Sequence, residues 1–277
     1  MIKNKKGIVL LFMLSLICLF TGCTKTESIK VKLGYKNQDF DFIKQNDVPK
    51  ITIQSNRDNG FKFIVTDKRT VNDIYNILSS GKAVEGKTNL DADYTFEIYE
   101  NEDEIHKFSY VAGIQEKGMG NFYDESKNYV VSKRIDNDII KNMATLRKPR
   151  NFETLYYDSI LAFVDQNIKN TMKDEKKIGV NISNDVEVAK YMLSIDIEDF
   201  KINLKNKMIN LSLVEDNKED FDILINVKTY GYKTTVYKSV ITLYNKTDNS
   251  ETDYYVWCKY EDKDWKINIT EKRPLDF

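Results

Sequence analysis

The chain contains a single histidine, His106, in the acidic stretch Glu102-Asp103-Glu104-Ile105-His106. A histidine is the usual general base near neutral pH, because its ordinary pKa lies there. With one histidine, a Ser-His-Asp triad would have to run through it, and no serine stands in a supporting context. His106 is therefore expected to be a surface residue of a strand. Carboxylates cluster at Asp39/Asp41, Asp91/Asp93, Glu100–Glu104, Glu215–Asp222 and Glu261–Asp264. Paired acids are the equipment of glycoside hydrolysis and of calcium sites. None of these clusters reproduces the calcium-binding helix–loop–helix spacing; Asp216–Asp220 reads as a solvated turn, and cation binding is the less favoured reading of Asp91-Ala92-Asp93. No glycine-rich phosphate loop, zinc spacing or nucleophile elbow occurs. The sequence thus predicts a protein that is not an enzyme, with no catalytic residue, no cofactor and no metal ligand. The tyrosines Tyr230, Tyr232, Tyr237, Tyr244, Tyr254 and Tyr255 suit either a ligand cleft or a partner surface, because a phenol is apolar in body and polar at its tip. Ordinary packing on a curved sheet is the favoured reading of them.

Cysteine is the other reactive type, and its three positions have separate fates. Met1–Lys6 carries Lys3, Lys5 and Lys6 with no acid, Gly7–Phe20 is apolar chain with Ser15 its one hydroxyl, and Thr21-Gly22-Cys23 closes it. That order of basic, apolar and small-residue regions predicts an export signal. The apolar run is shorter than the roughly 18–20 residues of a permanent span. Leu19-Phe20-Thr21-Gly22-Cys23 resembles a bacterial lipobox, with Phe20 where leucine is usual. The resemblance implies that Cys23 is lipidated and becomes the first mature residue. Two or more acyl chains, at about 0.8 kcal/mol per buried methylene, hold a protein stably at a bilayer. Cys18 leaves with the signal, so Cys258 has no partner and no intrachain disulfide is expected. Beside Trp257 in a strand-like run, Cys258 reads as a buried small hydrophobe.

Composition narrows the rest. The signal takes three lysines and no acid from totals of 42 basic and 43 acidic residues, leaving a mature excess of about four acids. A nucleic-acid surface would need a concentrated basic stripe, and none is visible. Only 3 prolines and 11 glycines argue against disorder, while 17 tyrosines and 14 phenylalanines supply a core.

The elements that must position these residues follow from periodicity. Thr24–Asp47 reads as a tether, with Leu33, Phe40, Phe42 and Ile43 available to dock. Ile51 and Ile53, the Asn59-Gly60 turn, and Phe61, Phe63 and Val65 predict a hairpin. Asp67 is placed to cap a helix with Val71, Ile74, Tyr75 and Leu78 on one face, ended near Gly81. Lys82–Leu90 reads as a loop. Strands are expected around Tyr94–Ile98 and Ile105–Tyr110, a long connection over Gly113–Ser126, a strand at Tyr129–Val131, and a helix from Ser132 through Ile135, Ile139, Met143 and Leu146. Asp93-Tyr94-x-Phe96-x-Ile98, with Tyr129-Val130-Val131-Ser132 before a terminal helix, is similar to the YhfM-like domain of Firmicute lipoproteins over residues 48–147. Phe108 and Tyr110 stand where that family's tryptophan is expected, and the resemblance brings no catalytic residues.

Pro149 disfavours helix at the preceding residue and marks a boundary. Phe152–Met172 is the longest helical pattern, with Phe152, Leu155, Tyr156, Ile160, Phe163, Val164 and Ile168 as its stripe. Asn184 or Asp185 is placed to cap a short helix through Val188, Tyr191 and Met192. Strands are expected at Phe200–Leu204, Ile209–Leu213, Phe221–Tyr230, Thr234–Tyr244, Thr252–Tyr260 and Trp265–Ile269, with turns at Gly231 and Thr247–Ser250. The ending Tyr255-Val256-Trp257 … Lys263-Asp264-Trp265-Lys266-Ile267 resembles the last hairpin of an NTF2-like domain, and the element order is similar to NTF2-like and cystatin-like folds.

The sequence therefore predicts an α+β protein of two domains, each an antiparallel sheet packed on helices, behind a lipoprotein signal peptide. Its parts are a signal peptide (1–22), lipidated Cys23 with a tether (23–47), a YhfM-like domain (48–147) and an NTF2-like or cystatin-like domain (148–277). The expected protein is anchored by lipid on Cys23 to the extracytoplasmic face of the cell membrane. It is expected to be a non-enzymatic binding or assembly module with an envelope protein partner and no nucleic acid. The alternative is a small-molecule or cell-wall-fragment binder using a pocket in the C-terminal domain.

Overall fold

The computed structural model describes residues 36–114, 118–141, 148–169, 176–215, 217–275 and 277. Cys23 and the leader lie outside the described residues, as do Leu33, Met143, Leu146 and Met172. Two sheets each cover their own apolar core, giving a mixed α+β protein. Among the described residues no helix is long and apolar enough to cross a membrane.

In the N-terminal lobe, β1 (Lys50–Ser55) and β2 (Lys62–Val65) form the expected hairpin, with Ile51 opposite Val65 and Ile53 opposite Phe63. Gly60 N–H donates to Asp58 Oδ1 at 2.9 Å in the turn between them. Helix α1 (Phe42–Gln45) precedes the hairpin and α2 (Lys68–Ser79) follows it. Asp67 caps α2 by accepting from Thr70 N–H at 2.9 Å, and Val71, Ile74, Tyr75 and Leu78 are buried as their spacing requires. Gly81 stands where a Cβ would lie 2.9 Å from the Leu78 carbonyl oxygen and 3.0 Å from Val131, which explains the glycine.

The rest of the lobe departs from the expected pattern at its weakest strands. Lys82–Val84 is not loop but strand β3, and Phe122–Tyr123 within the long connection is β6. With β4 (Tyr94–Tyr99), β5 (Ile105–Tyr110) and β7 (Asn128–Val130) they make an antiparallel sheet of order β2-β1-β4-β5-β6-β7-β3. Neither β3 nor β6 shows an alternation of its own, so only pairing reveals them. Phe40 is fully buried, its ring 4.8 Å from Tyr129, 5.6 Å from Phe108 and 5.9 Å from Phe122. Ile43 joins the same core. The expected last helix is a π-helical stretch, Ile135–Ile140, burying Ile135, Ile139 and Ile140.

In the C-terminal lobe, α3 (Phe152–Asn167) buries every residue of its expected stripe, with Ile168 just beyond its end. Four long strands, β10 (Ile223–Lys233), β11 (Val236–Asn245), β12 (Ser250–Glu261) and β13 (Asp264–Thr270), form the expected meander. Gly231 is not the first turn; it sits at a register shift within β10, and the chain reverses between Lys233 and Val236. Asp262 and Lys263 adopt φ of 53° and 67° at the last reversal, the paired left-handed conformation of a tight hairpin turn.

Two differences here are larger. Phe200–Leu204 is not a strand but part of helix α4 (Ser194–Lys207). Phe200 and Leu204 are buried and Ile202 is 52% exposed, as four-residue helical spacing demands. The unexpected strand β8 (Ile178–Asn181) pairs in parallel with both β10 and β9 (Leu211–Leu213). The second sheet, of order β13-β12-β11-β10-β8-β9, is thus antiparallel with a parallel edge.

Candidate functional site

The acids and aromatics with chemical potential are distributed by these elements to four places. At the tip of the β4–β5 hairpin, Glu100, Glu104 and His106 bring ligand-type atoms within 4.8 Å of one another. His106 Nε2 lies 2.9 Å from Glu100 Oε2, and the His106 ring stacks on Phe42 at 4.1 Å. Two carboxylates and an imidazole are ligands that a divalent cation accepts. Here they are half-buried or exposed, and the imidazole is engaged with Glu100.

Asp185 does not cap a helix by its side chain. It is buried at the centre of the C-terminal core, where Oδ1 accepts from Thr229 N–H at 3.0 Å and Oδ2 from the Thr229 hydroxyl at 2.8 Å and the Tyr156 hydroxyl at 3.1 Å. Burial raises its pKa against these donors. The expected tyrosine group is split rather than gathered. Tyr237 is fully buried, Tyr254 packs on Phe163, Tyr232 on Tyr191, and Tyr230 and Tyr255 contact Phe277. Tyr244 donates to Asn249. Cys258 is buried, its thiol pushed up to about 12 by desolvation, so it is inert as a nucleophile at neutral pH.

Asp93 joins the two lobes. Its Oδ1 accepts from Arg57 Nη1 at 2.5 Å and from Ser194 N–H at 2.8 Å, and its Oδ2 accepts from Ala112 N–H at 2.8 Å. Arg57 Nη2 donates to Ser194 Oγ at 2.5 Å, and that hydroxyl donates to the Asp91 carbonyl at 2.7 Å. Of the Asp91/Asp93 pair only Asp93 meets a cation, the guanidinium of Arg57, while Asp91 contributes its backbone carbonyl to Ser194. Burial raises the Asp93 pKa, and Arg57 with the two amides opposes the rise. Nearby, burial and then Glu153 push Asp196 up to about 6. The Tyr157 hydroxyl, in the field of Asp196, Arg57 and Asp93, is buried with no hydrogen-bond partner among the described residues.

Beside this joint lies a cleft of about 410 Å³ lined from both lobes. Phe61 and Tyr94 supply aromatic wall from the first sheet, Ile140 closes one side, and Tyr191 and Leu193 approach from the C-terminal lobe. Lys133, Lys141, Lys148 and Lys190 also line it, with one carboxylate, Asp136. Asp136 Oδ1 accepts from the Tyr110 hydroxyl at 2.8 Å and Oδ2 from Gly113 N–H at 3.1 Å. Gly113 holds φ of +76° there, with a Cβ position 3.2 Å from Ile195. Burial raises the Asp136 pKa, and Asp93 adds to the rise. An apolar-walled concavity with a few convergent polar groups and a perturbed carboxyl is the ordinary form of a ligand site. Sequence reasoning missed it because its walls come from six separate segments.

No curated protein and no solved structure matches the chain. A family model does: the one described as YhfM protein matches residues 44–149, so that the N-terminal lobe is similar to that family.

Proposed function

We propose that this chain is a non-enzymatic binding module of the cell envelope, anchored by lipid on Cys23, whose interlobe cleft receives a ligand. The observation that carries it is the cleft itself: about 410 Å³, walled by Phe61, Tyr94, Tyr191 and Leu193 from both lobes. Pockets of this size accommodate small molecules. The position between lobes also links occupancy to their separation, because Leu193 packs on the first core and Ser194 binds Asp93. The anchor follows from the leader and from the lipobox-like run ending at Cys23. The experiment is site-specific photocrosslinking in cells, with a benzophenone amino acid replacing Asn137 at the cleft or exposed Asp248 far from it. A discrete small-molecule mass added to the intact protein only from position 137 is expected. No adduct, or the same adduct from both positions, would remove the cleft as the binding site.

A further inference from the structure

We propose that the cleft selects a small organic anion, a carboxylate, sulfonate or phosphate carried on an apolar ring or chain. This rests on the cleft being a ligand site and adds the class of ligand. Across the whole chain basic and acidic residues nearly balance, 42 against 43, yet the cleft has four lysines and one carboxylate. The excess is a matter of placement, not composition. Asp136, held in the wall by Tyr110 and Gly113, offsets at most one of the four lysines, so a basic excess remains. Among the described residues Lys133 and Lys190 make no salt bridge, Lys141 donates to the neutral Asn137 amide, and Lys148 meets Glu153 only at 3.8 Å.

Ammonium groups around a concavity with low-dielectric walls attract an anion more strongly than the same groups on an open surface, since water and salt screen them less. A cation would be repelled there, and a neutral molecule would gain nothing from the lysines. Phe61, Tyr94, Ile140 and Leu193 meanwhile offer carbon surface that a bare inorganic ion would leave uncovered. The ligand that satisfies both walls is amphiphilic and small.

Two probes of equal shape separate charge from shape: naphthalene-2-sulfonate and neutral naphthalene-2-sulfonamide. Each is titrated calorimetrically into the full chain in phosphatidylcholine nanodiscs, with empty discs as blank. The sulfonate should bind one to one and about tenfold more tightly, losing affinity as salt rises. The double variant Lys133→Gln/Lys190→Gln should erase about five- to tenfold of that preference. Lys246→Gln, whose partner Glu219 lies elsewhere, should leave it intact. Discs containing phosphatidylglycerol identify the source: competition with the sulfonate marks a lipid headgroup, and its absence a free molecule. Equal binding of both probes, or a preference that survives the double variant, overturns the anion assignment and leaves the cleft a ligand site. Binding of neither probe overturns both.

Discussion

At the scale of single residues, the joint between the lobes is where one atom changes most. Asp93 is 2% exposed and serves Arg57, Ser194 and Ala112 together. Asp93→Asn removes the charge opposite Arg57 and turns an amide N–H₂ toward another donor. Breaking a buried pair from one side costs about 3 kcal/mol, to be read as a lower midpoint in chemical denaturation. Asp196 behaves in the opposite sense. Its folded pKa of about 6 exceeds the ordinary aspartate value of 3.8, so between these values the native state holds a proton that the unfolded chain has already released. Its contribution to stability is present below about pH 4 and fades as pH rises through 6. Asp196→Asn should therefore raise Tm at pH 7.5, with most of the gain gone at pH 4. An equal gain at both pH values would show that burial does not control this group. His106→Gln keeps a donor for Glu100 and should change stability by less than about 1 kcal/mol, with membrane level and cellular phenotype unchanged.

At the scale of elements, α4 supplies the sharpest test. A strand spanning Phe200–Leu204 would set Phe200, Ile202 and Leu204 on one face with similar weight. In the helix, Ile202→Ala should cost less than about 0.5 kcal/mol at a site 52% exposed, while Leu204→Ala should cost about 2–5 kcal/mol. The parallel edge offers another. A Cβ at Gly179 in β8 would stand 2.7 Å from Phe221 Cγ and Val214 Cγ2, so Gly179→Ala should cost about 1–3 kcal/mol by overpacking. The same elements show what the sequence could reveal. Long or strongly periodic segments such as α2, α3, the β1–β2 hairpin and the four-strand meander were legible, because burial follows their apolar spacing. Phe200–Leu204 was not, because positions i, i+2, i+4 satisfy a strand and, through Phe200 and Leu204, a helix as well. β3 and β6 are too short to carry a period. Nor was the cleft legible, since Lys133 and Lys190, or Phe61 and Leu193, become neighbours only when the lobes meet.

At the scale of the whole molecule, the order begins before β1. Phe40 and Ile43 are in the first core, so a fragment of residues 36–149 should melt cooperatively. One of 48–149, lacking Phe40, loses about 3–5 kcal/mol and should be largely unfolded by circular dichroism. The C-terminal lobe, with its separate core, should fold as residues 150–277. Two fragments that fold only when mixed would contradict this division. The proposed anchor is tested directly: Cys23→Ala should leave the protein unprocessed or released, and a mature-sized, membrane-bound variant would refute lipidation.

The strand order of the second sheet has a consequence for how the molecule assembles. Strands β10 to β13 pair each with its successor, so loops of only a few residues must close before contacts form. Strand β8 must instead find β10 across the whole of α4 and β9, as Ile178 meets Ile223. Chain closure over such a separation costs more entropy and delays pairing. In pulsed hydrogen exchange during refolding, amides of Val236–Asn245 should become protected before those of Ile178–Asn181. The parallel edge would then be the last part of the lobe to close, and for that interval β10 would expose an unpaired backbone edge able to recruit a second chain.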